Sequence, residues 1–198
     1  MGVFANGTVA VIDDSTTSVT RFTQSGGFLA ATPLPGIISP WGGTIGTDNI
    51  LYVVGRISNS LFKVSQTGVV LGSVSLGFSP GELVMSPVDG TLWVSGFSNG
   101  LVEHITTAGA VLGSFPIGLS GAFGGIGMAP DGNSLYVGTS GSGLVRHVDL
   151  SGNQLDQFNT GNSGISHMVV VPGTVPEPST WASLAFGAAA LLARRRRA

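Results

Sequence analysis

The chain has 198 residues, including 32 Gly and 10 Pro, and only 9 % of it is Asp, Glu, Lys or Arg, against about a quarter in an ordinary soluble protein. With 42 % hydrophobic residues, this composition excludes a disordered polyelectrolyte and a basic nucleic-acid binder. The absence of Cys excludes disulfides, thiolate metal sites and thiol nucleophiles. The few charges are placed unevenly: Arg194, Arg195, Arg196 and Arg197 are half of the eight basic residues, so residues 1–174 carry a net charge of −5 against −2 for the whole chain. Nucleic acid is therefore not an expected partner.

Met1 to Gly7 contain no basic stretch leading into an apolar one, so an export signal is expected upstream, in a longer parent chain. From Val9 onward the sequence repeats with a period of about 42 residues. The first segment of each unit is Val9-Ala10-Val11-Ile12, Ile50-Leu51-Tyr52-Val53, Thr91-Leu92-Trp93-Val94 or Ser134-Leu135-Tyr136-Val137. A polar turn and a second segment follow: Val19 to Phe22, Leu61 to Val64, Val102 to Ile105 and Val145 to Val148. Beyond a further turn at Gly26, Gly68, Gly109 or Gly152 comes a third segment, as in Val69 to Val74 and Val111 to Phe115. The fourth is apolar and flanked by Gly or Ser: Glu82 to Met85, Gly125 to Met128 and Ser166 to Val170.

These runs of four to six residues are rich in Val, Leu, Ile and aromatics, lack a 3.6-residue period and are bounded by Gly, Ser, Asn and Asp. They predict strands. Four short strands in about 42 residues is the size of one propeller blade, and Met128 to Asn133 is a tight turn between two of them. The expected fold is all-β, a β-propeller of four-stranded antiparallel blades over residues 1–174. Blades stack face to face, so most strands lose both faces to neighbours, which accounts for the scarcity of charge. In this phase the chain opens at a second strand near Thr8 and closes with an extra inner strand near Ile165 to Val171. That strand either completes the first blade, hiding an open edge, or marks a larger propeller shortened at its N-terminus.

The repeats resemble the YVTN, NHL and lactonase-like propeller repeats. The likeness is clearest at Ala129-Pro130-Asp131-Gly132-Asn133-Ser134-Leu135-Tyr136-Val137 and looser at Ser86-Pro87-Val88-Asp89-Gly90-Thr91-Leu92-Trp93-Val94. It spans residues 7–171 and implies a fold, not an activity. The Gly-His and Trp-Asp pairs of WD40 blades are absent.

The character changes at Val175. Residues 175–180, Val175-Pro176-Glu177-Pro178-Ser179-Thr180, form a linker that its prolines keep from becoming helical. Residues 181–193 are an apolar stretch opened by the interface-preferring Trp181. As a helix it is about 20 Å long, short for a stable span, which needs roughly 17 to 25 residues. Residues 194–198 contain the four arginines, which belong on the cytoplasmic side with the acidic body outside. This three-part ending resembles the PEP-CTERM sorting signal of Gram-negative bacteria, with Pro176-Glu177-Pro178 as its motif, 181–193 as its transmembrane segment and 194–198 as its basic tail. The resemblance implies recognition and cleavage by an exosortase-type membrane protease, transient anchoring in the inner membrane, and delivery to the cell surface or matrix beside exopolysaccharide.

Among candidates for chemistry, Gly77-Phe78-Ser79-Pro80-Gly81 and Gly96-Phe97-Ser98-Asn99-Gly100 match the G-x-S-x-G pattern, but each lies between strands, without the following helix a nucleophile elbow needs. His104 and His147 occupy equivalent places on successive blades, too far apart to share one zinc. Asp48, Asp89 and Asp131 open turns, where Asp bonds its own backbone. Asp13-Asp14 lacks the alternating spacing of a calcium loop. Lactonase-like propellers hold a divalent ion with channel carboxylates, so Glu82, with His167 on an inner strand, is the best pair for a metal. No catalytic residue and no cofactor are assigned. The expected role is a non-catalytic binding or scaffold protein of the surface or matrix, the alternative being a metal-dependent lactonase-like hydrolase.

Overall fold

The computed structural model describes residues 1–118, 123–139, 141–162 and 164–170. The described residues form four antiparallel sheets of four strands each, joined in chain order. Blade 1 is β1 (Gly2–Val3), β2 (Val9–Asp13), β3 (Ser18–Phe22) and β4 (Phe28–Pro33). Blade 2 is β5 (Pro40–Ile45), β6 (Ile50–Gly55), β7 (Ser60–Ser65) and β8 (Val70–Ser75). Blade 3 is β9 (Pro80–Met85), β10 (Leu92–Gly96), β11 (Leu101–Ile105) and β12 (Val111–Pro116). Blade 4 is β13 (Phe123–Met128), β14 (Ser134–Thr139), β15 (Leu144–Asp149) and β16 (Gln154–Asn159). Each repeated apolar segment of the sequence is one of these strands except Ser166 to Val170, which is not a strand, and the fold is a β-propeller.

The turns form as the residue types require. Asp48, Asp89 and Asp131 each accept a bond from the backbone N–H two residues on, at 3.0 to 3.1 Å. Gly132 after Asp131 takes φ 73°, a left-handed conformation that favours Gly.

The blades are joined by three apolar seams. In the first, Phe4, Ala10, Val19 and Leu34 of blade 1 meet Leu51, Val53, Phe62 and Val64 of blade 2. In the second, Tyr52, Val54, Leu61 and Leu76 meet Leu83, Met85, Leu92, Val94 and Ile105. In the third, Trp93, Val102 and Ile117 meet Ile126, Met128, Leu135, Val137 and Val148. Successive residues of one strand thus serve opposite seams: Val53 faces back to blade 1 and Tyr52 forward to blade 3. The central strands of blades 2 and 3 lie between two seams, which leaves them little solvent-facing side to carry charge. Polar ties cross the seams as well, with the Arg21 guanidinium donating to the Gln66 carbonyl at 3.1 Å and Arg146 to that of Ile117.

Outer strands are open edges, and all four are irregular at one place. The register slips at Arg21/Phe22, Lys63/Val64, His104/Ile105 and His147/Val148. A bulge at the same repeat position in every blade disturbs the edge and hinders edge-to-edge pairing.

Two expectations about the ends need correction. The chain does not open at the second strand of a blade, because β1 pairs with β2 through Gly2↔Ala10 and Val3↔Val9. Residues 165–170 do not complete blade 1, since β1 already holds part of that edge; they form no strand ladder and lie against β13, where a Cβ on Gly125 would be 2.9 Å from the Met168 Cβ. Val171, the linker, the 181–193 segment and the basic tail lie outside the described residues. Among the described residues no helix is long and apolar enough to cross a membrane.

Candidate functional site

Inner strands β5, β9 and β13 run side by side, and the register fixes which residues face one another. Ile45, Met85 and Met128 pair with Leu51, Leu92 and Leu135 respectively, so the positions three residues earlier, Gly42, Glu82 and Gly125, are equivalent. Val170 lies 42 residues after Met128 and, like it, two before a Pro, which gives His167 the same repeat position. The strands approach closely there: a Cβ on Gly42 would stand 2.8 Å from the Cα of Glu82 and from the Gly81 carbonyl oxygen. Only Gly fits at that crossing. Gly125 likewise lets the 167–168 backbone approach β13, its Cβ position being 3.0 Å from the His167 carbonyl carbon, and the Glu82 and His167 side chains meet, Glu82 Oε2 against His167 Nδ1.

Glu82 is 8 % exposed. Its backbone is clamped by Ser95, whose hydroxyl accepts from the Glu82 N–H at 2.9 Å and donates to its carbonyl at 3.2 Å. Burial pushes the carboxyl above its ordinary range, while His167 and the Gly43 amide pull the other way. The His167 side chain is 59 % exposed, so the pair has a buried acid and a solvent-facing imidazole. Both line a cleft of about 360 Å³ that receives residues from β1, β5, β9, β13 and the 167–170 segment.

Beside the pair lies an aromatic group that the sequence reading did not single out. Trp41, at the start of β5, stacks on His167 with ring centres 5.9 Å apart and meets Phe97 edge-on at 6.4 Å. The Arg56 guanidinium lies over both rings, 4.3 Å from Trp41 and 4.5 Å from Phe97, a cation–π arrangement. Arg56 and Phe97 each follow the Gly that ends a second strand, β6 or β10, so their shared repeat position was a usable clue. The Trp41 Nε1 atom is buried without a hydrogen-bond partner among the described residues.

The remaining candidates have structural partners. His104 stacks on Trp93 at 4.0 Å with rings 1° from parallel, and its Nε2 is 2.7 Å from the Thr91 hydroxyl. His147 repeats this on Tyr136 at 4.2 Å, with Ser134 Oγ 2.8 Å from Nε2. Asp48 accepts from the Tyr52 hydroxyl at 2.6 Å, and burial, then Asp48, pushes that phenol up to about 12. The Asp13 carboxylate is held below its usual range by the hydroxyls of Ser15 and Thr16. Ser79 donates to the Arg56 carbonyl at 2.8 Å. Among the described residues no group of three His, Asp or Glu is placed to hold a metal ion. Glu82 and His167, the pair that the sequence offered for a metal, bond each other. The sorting residues Val175, Pro176, Glu177, Pro178, Trp181 and Arg194 to Arg197 lie outside the described residues.

Residues 174–197 match the PEP-CTERM protein-sorting motif. That motif implies an exported protein with a C-terminal membrane-anchoring signal, processed by exosortase. No curated protein matches the chain. Solved structures share its fold. Virginiamycin B lyase from Staphylococcus aureus is 20 % identical with a TM-score of 0.66, over 79 % of this chain and 53 % of that one. A protein of unknown function from Bacteroides caccae is 17 % identical with a TM-score of 0.63, over 81 % of this chain and 60 % of that one. Kuenenia stuttgartiensis hydrazine synthase is 22 % identical with a TM-score of 0.65, over 79 % and 47 %. This chain thus spans about half the length of those proteins, and at such identities the likeness shows the propeller fold alone.

Proposed function

We propose that this exported, exosortase-processed propeller is a non-catalytic binding module of the cell surface or extracellular matrix, and that it holds a neutral polysaccharide at its central cleft. The observation that carries the reading is the exposed His167 imidazole, fixed between buried Glu82 and Trp41. An oriented ring with an aromatic neighbour offers hydrogen bonds and an apolar face, which is what hydroxyl-rich sugar rings accept. The net charge of −5 on residues 1–174 disfavours polyanions. Blade connections around the cleft supply variable groups on a rigid frame.

Isothermal titration against purified neutral matrix polysaccharide tests this. Saturable binding is expected, with His167→Ala or Trp41→Ala weakening it about tenfold, the loss of about 1.4 kcal/mol. Equal binding by both variants, or none by the native chain, would refute the reading.

The second reading, a lactonase-like hydrolase, draws on the same contact between Glu82 and His167. Turnover of a lactone in the presence of calcium or zinc, abolished by Glu82→Gln, would replace the first reading with the second.

A further inference from the structure

Each outer strand carries a bulge, and the residue that the bulge leaves without a ladder partner is a leucine in every blade. The pairing of β3 with β4 passes over Leu29, that of β7 with β8 over Leu71, that of β11 with β12 over Leu112, and that of β15 with β16 over Leu155. These four residues are 46, 52, 54 and 56 % exposed respectively. A lone exposed Leu is ordinary on a protein surface. The same residue at the same unpaired position of all four blades is a property of the repeat, and re-aiming a side chain is what a bulge does. Blades 2 and 3, which have neighbours on both sides, show it as fully as the outer two.

Equivalent positions stand at one height, here the end of the propeller at which the outer strands begin. Phe28, Val69 and Val111 beside the leucines are more than half exposed, as is Val88 in the β9–β10 turn at the same end. Toward the other end of the same strands, Val74 and Phe115 pack into the seams. The turns leading into the outer strands, residues 23–27, 66–69, 106–110 and 150–153, contain no charged residue. Asp48, Asp89, Asp131 and Asp149, at this end, bond backbone N–H groups of their own turns.

Val170, from which the sequence continues into the sorting signal, is at this end too. Residues 165–170 follow β13 in its own direction, with Ile165 against Gly124 and Val170 against Gly127. Strand β13 runs toward the turn that holds Asp131. Residues 171–180 separate Val170 from the apolar stretch at 181–193, and ten residues reach at most about 35 Å. The signal therefore keeps the leucine end, not the Trp41 end, within that distance of the membrane.

We propose that the four bulge leucines and the apolar residues beside them form a lipid-contact rim, on which the propeller sits against the membrane while its C-terminal signal anchors it. The proposal rests on the anchoring that the sorting motif implies. Side chains from four separate blades at one height suit a flat surface, which takes up apolar groups without needing a shaped groove. With four acids and no basic turn residue at this end, that surface is zwitterionic lipid rather than anionic lipid.

The chain contains no Cys, so a single introduced thiol carries a single label. Leu71→Cys and Leu112→Cys place a bimane on the rim, and Ile57→Cys, 63 % exposed in the β6–β7 turn at the opposite end, carries the control label. The full chain is reconstituted into phosphatidylcholine vesicles with and without brominated acyl chains. All three labelled chains are expected to float with the vesicles, with fluorescence lost to brominated lipid at positions 71 and 112 and kept at position 57. Floating chains that keep their fluorescence at 71 and 112, or lose it as strongly at 57, would overturn the rim and leave the anchoring intact. Chains that do not float would overturn the anchoring and the rim with it.

Discussion

Replacing Gly42 by Ala probes the crossing on which the cleft depends. The added Cβ would stand 2.8 Å from both the Glu82 Cα and the Gly81 carbonyl oxygen, and 3.3 Å from Glu82 Oε1. Ordinary carbon contacts begin near 3.5 Å, and two of the three atoms are backbone, so no rotamer change relieves the overlap. Strands β5 and β9 must separate by about 0.7 Å, in a seam whose packing tolerates little. Overpacking of this kind costs about 1–3 kcal/mol, which in a domain of this size lowers Tm by roughly 2–12 °C. Gly113→Ala, on outer strand β12 with nothing within 4 Å of the new Cβ, should leave Tm within about 1 °C of the native value. Differential scanning calorimetry of the two variants beside the native chain is the assay. A Gly42→Ala variant as stable as Gly113→Ala would refute the close approach of the inner strands, and with it the placement of Glu82.

Three other outcomes follow from the same geometry. Removing the stack on Trp93 and the bond to Thr91, His104→Ala should cost about 1–2 kcal/mol in thermal unfolding, with no change in polysaccharide affinity. Because burial keeps the proton on Glu82 above the usual carboxylate value of 4.5, the folded chain binds more protons there than the unfolded chain. Its contribution to stability is therefore lost as pH rises through that raised value. Glu82→Gln should make the melting temperature less dependent on pH above 4.5, and an unchanged slope would place the carboxylate in solvent. Tyr52→Phe, which removes the bond to Asp48, should lower stability by about 1 kcal/mol and abolish any Tyr52 titration near pH 12.

The repeat made most of this fold legible, because a strand buried on both faces must be apolar throughout, and Leu51-Tyr52-Val53 or Leu135-Tyr136-Val137 satisfies that without help from its neighbours. Strand β1 was not legible: Gly2–Val3 is too short to carry a period, and only its pairing with Val9 and Ala10 marks it as a strand. Glu82 and His167 were recognisable by their shared repeat position, but their contact depends on how β9, β13 and the 165–170 segment lie against one another, a matter of register across three elements. Trp41 and Arg56 escaped notice because one opens a strand and the other follows one, and what joins them is the pairing of β5 and β6 at one end of the blade. The sorting residues were legible for the opposite reason, since a linker, an apolar run and a basic end in fixed order are read along the chain and need no fold.

Delivery of the module by its C-terminal signal is the claim on which the functional account turns. Mass spectrometry of the protein recovered from the surface or medium of exosortase-containing cells tests it most directly. The account predicts a species that ends near Pro176-Glu177-Pro178 and lacks Arg194 to Arg197, while the Pro176→Ala, Glu177→Ala double variant stays uncut in the membrane fraction. Surface material that retains the arginines, or a double variant cut and delivered like the native chain, would contradict it.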